Sequence, residues 1–230
     1  TALIGHFAGQ GCSDFLLDIG ANIGLTSCQS GVHFDEVHMF EPNPDCLSIL
    51  KVNAKIALRT KAHLIYPFGL GSKSERLKLH VPYDNWGGAF IQSGDNEYNQ
   101  SLLSEKDGYG NFNAENYQIL EVQVESAVDT LNGLFADLAD RGKSKGVIKI
   151  DVEGYEKLVL EAIAKAIPDH FEVFVVFENW ASGTTLPLLP INAPGRVNFY
   201  FLSGNKTPLR WAPRWLNSLY NFSKGGFSSH

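Results

Sequence analysis

The segment LLDIGANIG, Leu16 to Gly24, constrains the fold of this chain more than any other. An apolar run ends in Asp18 and passes into a glycine-bounded bend, Gly20-Ala21-Asn22-Ile23-Gly24. Glycine accepts the positive φ that a tight strand-to-helix reversal needs, and asparagine accepts it better than most other residues. A helix that opens at such a bend presents unpaired N–H groups to whatever lies against it. Twenty-three residues after Asp18, a second β-rich run, EVHMF, ends in Glu41, followed by Pro42-Asn43-Pro44. A carboxylate at the tip of the second strand is where a doubly wound sheet grips ribose hydroxyls. Bend and carboxylate together predict a nucleoside-bearing cofactor.

The rest of the chain alternates strand and helix patterns. Strands are predicted at Phe15 to Ile19, Glu36 to Phe40, Ala62 to Tyr66, 146–151 and 171–179, the last apolar enough to be buried on both faces. Helices are predicted at 1–10, Leu25 to Ser30, from Pro44 onward, Ser126 to Arg141 and 153–167. RLKLHV (76–81) and ILEVQVE (119–125) alternate as half-exposed strands do and are predicted to pair antiparallel. RVNFYFL (196–202) and PLRWAP (208–213) supply a final strand pair. This order predicts an α/β fold with a mostly parallel sheet and helices on both faces. No internal repeat or linker divides the 230 residues, so a single domain is expected. Within it, about 84–118 reads as a substrate lid or insertion, and about 180–230 as a basic, aromatic C-terminal segment.

Charge and cysteine content narrow the partners. All 25 acidic residues lie at or before Glu178, against 14 basic ones there, so the first 178 residues carry −11. The last 52 hold five basic residues and no acidic one, with Trp180, Trp211, Trp215, Tyr200 and Tyr220 among them. A net charge of −6 argues against non-specific nucleic-acid binding, while the cationic, aromatic tail suits an acidic or glycan-bearing substrate, a membrane face or a partner subunit, or else packs on the acidic body. No apolar run reaches the roughly 18 residues that span a bilayer, and no signal peptide opens the sequence. Cys12, Cys28 and Cys46 have no Cys-x-x-Cys spacing and read as buried free thiols in a reducing, cytoplasmic compartment.

Three stretches carry the expected chemistry. Gly20 permits the sharp turn, Gly24 lets the helix start pack on the strand, and Asn22 stands where dinucleotide folds carry their middle glycine. The Asn22 side chain would crowd a pyrophosphate, which turns the choice toward a cofactor without phosphates. IKIDVEGYE (148–156) delivers Asp151 to the carboxyl edge of the sheet, with Glu153 and Glu156 at the following helix start. Capping explains Glu156 well and Asp151 poorly, because a strand-end aspartate loses solvation unless something binds it. Glu178 ends the next strand at the same edge; with Asp151 and Glu153 it suits a hard cation or substrate hydroxyls, yet no histidine or fixed-spacing ligand supports a metal. No Gly-x-Ser-x-Gly elbow or Walker loop is present.

These residues resemble the FkbM-type S-adenosylmethionine-dependent methyltransferases. The similarity lies in DIGANIG (18–24), FEPNP (40–44) with Leu47, Leu50 and Asn53 behind it, VDTL (128–131) and IKIDVEGYE (148–156). Phe68-Gly69-Leu70-Gly71 and the Asn85-Trp86-Gly87-Gly88 turn match in kind. The resemblance implies a class I methyltransferase sheet, Rossmann-like and doubly wound, of seven strands with an antiparallel last one. It implies S-adenosyl-L-methionine as cofactor: Asp18, Gly20, Ala21, Asn22 and Gly24 about the methionine part, Glu41 and Pro42 at the ribose, and Phe68, Gly69 and Leu70 flanking adenine. Asp151 and Glu153 would face the transferred methyl and the acceptor as catalytic residues. O-methylation of a sugar, glycan or natural product is the implied activity. Two other readings compete: an NAD-dependent oxidoreductase, disfavoured by Asn22, and a non-catalytic glycan- or partner-binding domain on the same fold.

Overall fold

Strand patterns that are apolar on both faces pair side by side in parallel. In the computed structural model the described residues are 1–96 and 115–177, with the backbone of 196–199. The first elements in chain order are α1 (Ala2–Gly9), β1 (Phe15–Ile19), α2 (Leu25–Ser30), β2 (Glu36–Phe40), α3 (Pro44–Ala57) and β3 (Ala62–Tyr66). Then come β4 (Gly69–Gly71), β5 (Glu75–Pro82), β6 (Phe90–Ile91), β7 (Tyr117–Ser126) and α4 (Ala127–Asp140). The last are β8 (Lys145–Ile150), α5 (Glu156–Ala166), β9 (Glu172–Phe177) and β10 (Arg196–Phe199). The main sheet has the order β10-β9-β8-β1-β2-β3. Every pair from β9 to β3 is parallel, with Asp18 of β1 opposite Lys149 of β8 and Met39 of β2. The α/β fold with a mostly parallel sheet is as the alternating pattern predicted.

Helix starts follow local chemistry. The Asn43 side chain accepts the Asp45 N–H ahead of Pro44 at the first turn of α3, and Ser126 does the same for Asp129 at α4. Neighbouring residues of β2 point to opposite faces. A Cβ on Gly31 would meet Val37 and Leu58 on one side, while Glu36 pairs with Arg141, just past α4, on the other. Helical segments therefore approach β2 from both sides. Phe15, Phe135 and Phe171 pack together among the fully buried side chains.

Two differences from the predicted elements are informative. The antiparallel pair of β5 and β7 forms as expected, over eight residue pairs, but as part of a separate four-stranded sheet, β4-β7-β5-β6. Its alternating apolar face, Leu79, Val81, Val122 and Val124, buries against Ile91 and Tyr155. A helix predicted from residue 153 begins at Glu156, because Glu153 bridges to Phe90 of β6 in parallel and Gly154 takes φ +84°. Backbone committed to a strand bridge cannot enter a helix. The antiparallel last strand and the strand pair near 196–213 rest on residues outside the described ones, apart from the backbone of β10. The same holds for residues 97–114 of the insertion and for most of the basic C-terminal segment. By internal contacts the chain divides into Thr1–Val197 and Asn198–His230. No helix among the described residues is long and apolar enough to cross a membrane.

On the β2 face toward α4, buried Glu36 and His38 form a polar group with half-buried Tyr66: His38 Nδ1 lies 3.0 Å from the Tyr66 hydroxyl and His38 Nε2 3.5 Å from Glu36 Oε1. Burial lowers the His38 pKa, against a partial upward pull from Glu36, and burial lowers that of His80 as well. The unfolded chain then takes up these protons first, near the ordinary value of about 6.5. Stability is therefore expected to fall as pH drops below about 6.5. Thermal midpoints measured between pH 7.5 and pH 5.5 check this, and His38→Gln should flatten the slope, with His80 supplying the remainder.

Candidate active site

In an open parallel sheet, ligands bind beyond the carboxyl ends of the strands, where successive connections diverge to opposite sides. Here that point lies between β1, whose chain proceeds to β2, and β8, whose chain proceeds to β9. A cleft opens there, of about 860 Å³ with its mouth included. One side is built from Ile19, Gly20, Asn22, Phe40, Glu41, Pro42, Asn43 and Cys46. Asp151, Val152, Glu153 and Tyr155 form the opposite side. The small sheet roofs both, contributing Gly69, Leu70, Leu79, Phe90 and Ile91, with Trp86 and Gly87 before β6. Its position is fixed at two places: Gly69 lies against Pro42, and Phe90 bridges to Glu153.

The bend after β1 has the predicted conformation. Gly20 and Gly24 take φ +81° and +85°, and Asn22 takes φ +51°. Gly20 and Ala21 both donate their N–H to Phe40 O, which ties the bend to the end of β2. Asn22 Oδ1 accepts the Ile23 N–H, so the side chain caps its own turn. Asn53 of α3 donates to Ile23 O and holds the helix against the bend. Gly24 packs on Leu50 so closely that a Cβ would lie 2.5 Å from its Cδ1.

Glu41 is 7% exposed and lines the cleft. Its Oε2 accepts the Asn22 N–H at 2.7 Å and its Oε1 the Asn43 N–H at 2.8 Å. Each oxygen keeps a further lone pair for a ligand donor. Burial raises the Glu41 pKa, while the two backbone N–H groups counter part of that effect. Two peptide groups thus hold one carboxylate rigidly, in a place where water is largely excluded.

Asp18 stands elsewhere than at the cleft surface. It is 0% exposed, with Oδ2 accepting from Ser27 Oγ at 2.6 Å and Oδ1 from Lys149 Nζ at 2.9 Å. Lys149 also donates to Gly20 O at 3.1 Å and lies 3.2 Å from Asp151 Oδ2. The ammonium has three N–H groups and three acceptors around it. Burial opposes charge on Lys149, yet Asp18 and Asp151 outweigh it and raise its pKa. Asp151 itself is half-exposed at the cleft wall.

Of the residues predicted for the site, Gly20, Asn22, Glu41, Pro42, Gly69, Leu70, Asp151 and Glu153 converge on the cleft. Asp18, Ala21, Gly24 and Phe68 are not among its lining: Asp18 and Ala21 are buried beneath, Gly24 packs on α3, and Phe68 stacks edge-on against Phe40 and Tyr66. Glu178 lies outside the described residues. Among the described residues no group of three or more histidine, cysteine or acidic side chains is arranged to hold a metal ion. Leu79, Phe90, Ile91, Cys46 and Tyr155 line the cleft without having been read as site residues, since their sequence pattern signals only burial. Lys149 did carry a signal, a lone charge inside an apolar strand.

The sequence matches the Methyltransferase FkbM domain family over residues 18–183. The chain belongs to the FkbM methyltransferase family. The matched span of the FkbM domain holds both carboxyl-edge motifs, from Asp18 to Asp151, and every lining residue of the cleft. Among solved structures, it is similar to methyltransferase FkbM from Methylobacillus flagellatus KT, with 21% sequence identity and a TM-score of 0.39. That match covers 69% of this chain and 31% of the other, so this chain spans about a third of the length of that protein. No curated protein matches the sequence.

Proposed function

We propose that this chain is an S-adenosyl-L-methionine-dependent methyltransferase on a class I, doubly wound sheet, acting on a hydroxyl of a sugar, glycan or natural-product acceptor. The observation that carries the reading is Glu41: a buried carboxylate clamped by the Asn22 and Asn43 N–H groups, facing the cleft across from Asp151 and Glu153. Such a carboxylate suits the two hydroxyls of a ribose. Gly20, Asn22 and the Gly69-Leu70 segment would hold the remainder of the cofactor, and Asp151 and Glu153 the acceptor. The Asn22 side chain occupies the bend where a dinucleotide would need room for its pyrophosphate, which supports an adenosyl cofactor lacking phosphates.

The sulfonium supplies a strong electrophile, so the protein's part is alignment of the acceptor oxygen with the methyl carbon and exclusion of water. Asp151, half-exposed at the wall, is the group suited to accept the acceptor's hydroxyl proton or to orient that hydroxyl. Calorimetric titration with S-adenosylmethionine, S-adenosylhomocysteine and NADH tests the cofactor; binding of NADH alone would overturn the reading. Incubating labelled S-adenosylmethionine with a panel of hydroxylated acceptors tests the reaction. For an acceptor that is methylated, Asp151→Asn is expected to keep affinity for neutral S-adenosylhomocysteine and lose about 10²–10⁴ in kcat. An Asp151→Asn enzyme with wild-type turnover removes that role.

A further inference from the structure

The cleft is lined by three carboxylates, Glu41, Asp151 and Glu153, and among the described residues by no lysine, arginine or histidine. A fourth carboxylate, Asp18, lies directly beneath it with no exposure. Lys149 stands behind this wall, 14% exposed, with its ammonium on Asp18 Oδ1, Gly20 O and Asp151 Oδ2. Gly20 and Asp151 are themselves lining residues, so the positive charge sits one atom layer behind the surface a ligand would touch.

Methyl transfer from a sulfonium discharges the sulfur. A site whose floor carried only negative charge would favour the cationic cofactor over its neutral product, and would stabilise the ground state more than the charge-dispersed transition state. Binding spent on the ground state does not accelerate a reaction. We propose that Lys149 is a specificity-determining residue whose ammonium offsets the carboxylates of the cleft floor, so that the site does not over-stabilise cationic S-adenosylmethionine in the ground state relative to the charge-dispersed transition state. On this view Asp18 is the anchor that keeps Lys149 in place and charged, since both of its oxygens are already engaged by Ser27 and Lys149. The inference rests on the cofactor reading above and adds to it a defined electrostatic role for two residues.

The test needs no acceptor. Dissociation constants for S-adenosylmethionine and S-adenosylhomocysteine are measured by calorimetry at pH 7.5 on wild-type, Lys149→Met, Lys149→Arg and Asp18→Asn proteins, each checked by circular dichroism. Removing one unit charge from directly behind the lining of a partly desolvated site should move the ratio of the two constants about tenfold toward S-adenosylmethionine in Lys149→Met. Lys149→Arg keeps the charge and should keep the wild-type ratio. Asp18→Asn keeps the shape and one acceptor oxygen for Lys149, with its amide nitrogen donating to Ser27 Oγ in a reversed hydrogen bond, and removes a negative charge, so its ratio should move the opposite way, toward S-adenosylhomocysteine. Should Lys149→Met fail to fold, Lys149→Gln, which keeps a donor toward Asp18 and loses the charge, supplies the same comparison. If both ligands weaken equally in every folded variant, Lys149 is a structural ion-pair partner only and the proposal is wrong. If wild-type protein gives no heat with either ligand, the cofactor reading itself has failed and this inference falls with it.

Discussion

Gly20→Ala is expected to abolish the native fold around the cleft, with a destabilisation above about 4 kcal/mol, at the extreme of single substitutions. Two independent costs add. The residue sits at φ +81°, where an L side chain is strained by about 1–2 kcal/mol. Far larger is the overlap: a Cβ would lie 2.0 Å from the Asp151 carbonyl oxygen and 2.8 Å from its carbonyl carbon. Neither atom can retreat, because the Asp151 N–H bonded to Ile19 O fastens the ends of β1 and β8, and the Gly20 N–H bonded to Phe40 O fastens the bend to β2. Relief requires parting β1 from β8 at the cleft. Thermal or urea unfolding of the variant, with soluble yield as a first indicator, measures the effect. A Gly20→Ala protein within about 1 kcal/mol of wild type would mean the bend is not built as described. Gly24→Ala offers a graded comparison, since its Cβ would strike only the tip of the Leu50 side chain, which can turn aside.

Substitution of Glu41 should separate binding from folding. In Glu41→Gln the carbonyl oxygen still accepts one of the Asn22 and Asn43 N–H groups, while the amide nitrogen faces the other donor. A modest loss of stability, about 1–2 kcal/mol, follows from one orphaned buried N–H. If Glu41 holds the ribose as proposed, affinity for S-adenosylhomocysteine should fall much further, about 100-fold, because charge-assisted hydrogen bonds to its hydroxyls would be weakened. The pH dependence sharpens the expectation. Burial raises the Glu41 pKa above the ordinary carboxylate value, so acidification protonates it early and converts one acceptor oxygen into a donor. Wild-type affinity should therefore decline as pH falls from 7 toward 5, and Glu41→Gln should show no such decline. Calorimetric titration of both proteins at three pH values checks it. Unchanged affinity in Glu41→Gln would place the ribose elsewhere.

Much of the sheet was legible because its signals are local. Phe15 to Ile19, Glu36 to Phe40 and Ala62 to Tyr66 form strands over the predicted residues, since short apolar runs bounded by turn formers leave few alternatives. The bend at 20–24 and the end of β2 at Glu41 were equally open, because glycine and asparagine at those positions answer a backbone requirement that few other residues meet. The roof of the cleft was not. RLKLHV and ILEVQVE announce two strands that pair, but nothing local says that Gly69–Gly71 will join them in parallel or that Phe90 will reach Glu153. The helix start at Glu156 was missed for the same reason. The amphipathic pattern of 153–167 reads as one helix, and a bridge from Glu153 to a strand more than sixty residues earlier keeps its first residues out of it.

Asp18 marks the division most clearly. Sequence alone put a carboxylate at the end of β1 and, by likeness to a family, at the cofactor. Folding puts Lys149 opposite it, and the carboxylate turns from the cleft to an ammonium 131 positions along the chain. The amino-acid sequence determined the strand, the bend, the Glu41 tip and the Asp151 edge, because each is an answer to steric or solvation demands among near neighbours. Only the tertiary structure decided which of those carboxylates face the cleft and which are spent inside. That choice depends on strand order and register between β1 and β8, and pairing between distant strands is fixed by burial of the whole sheet rather than by any stretch of residues within it.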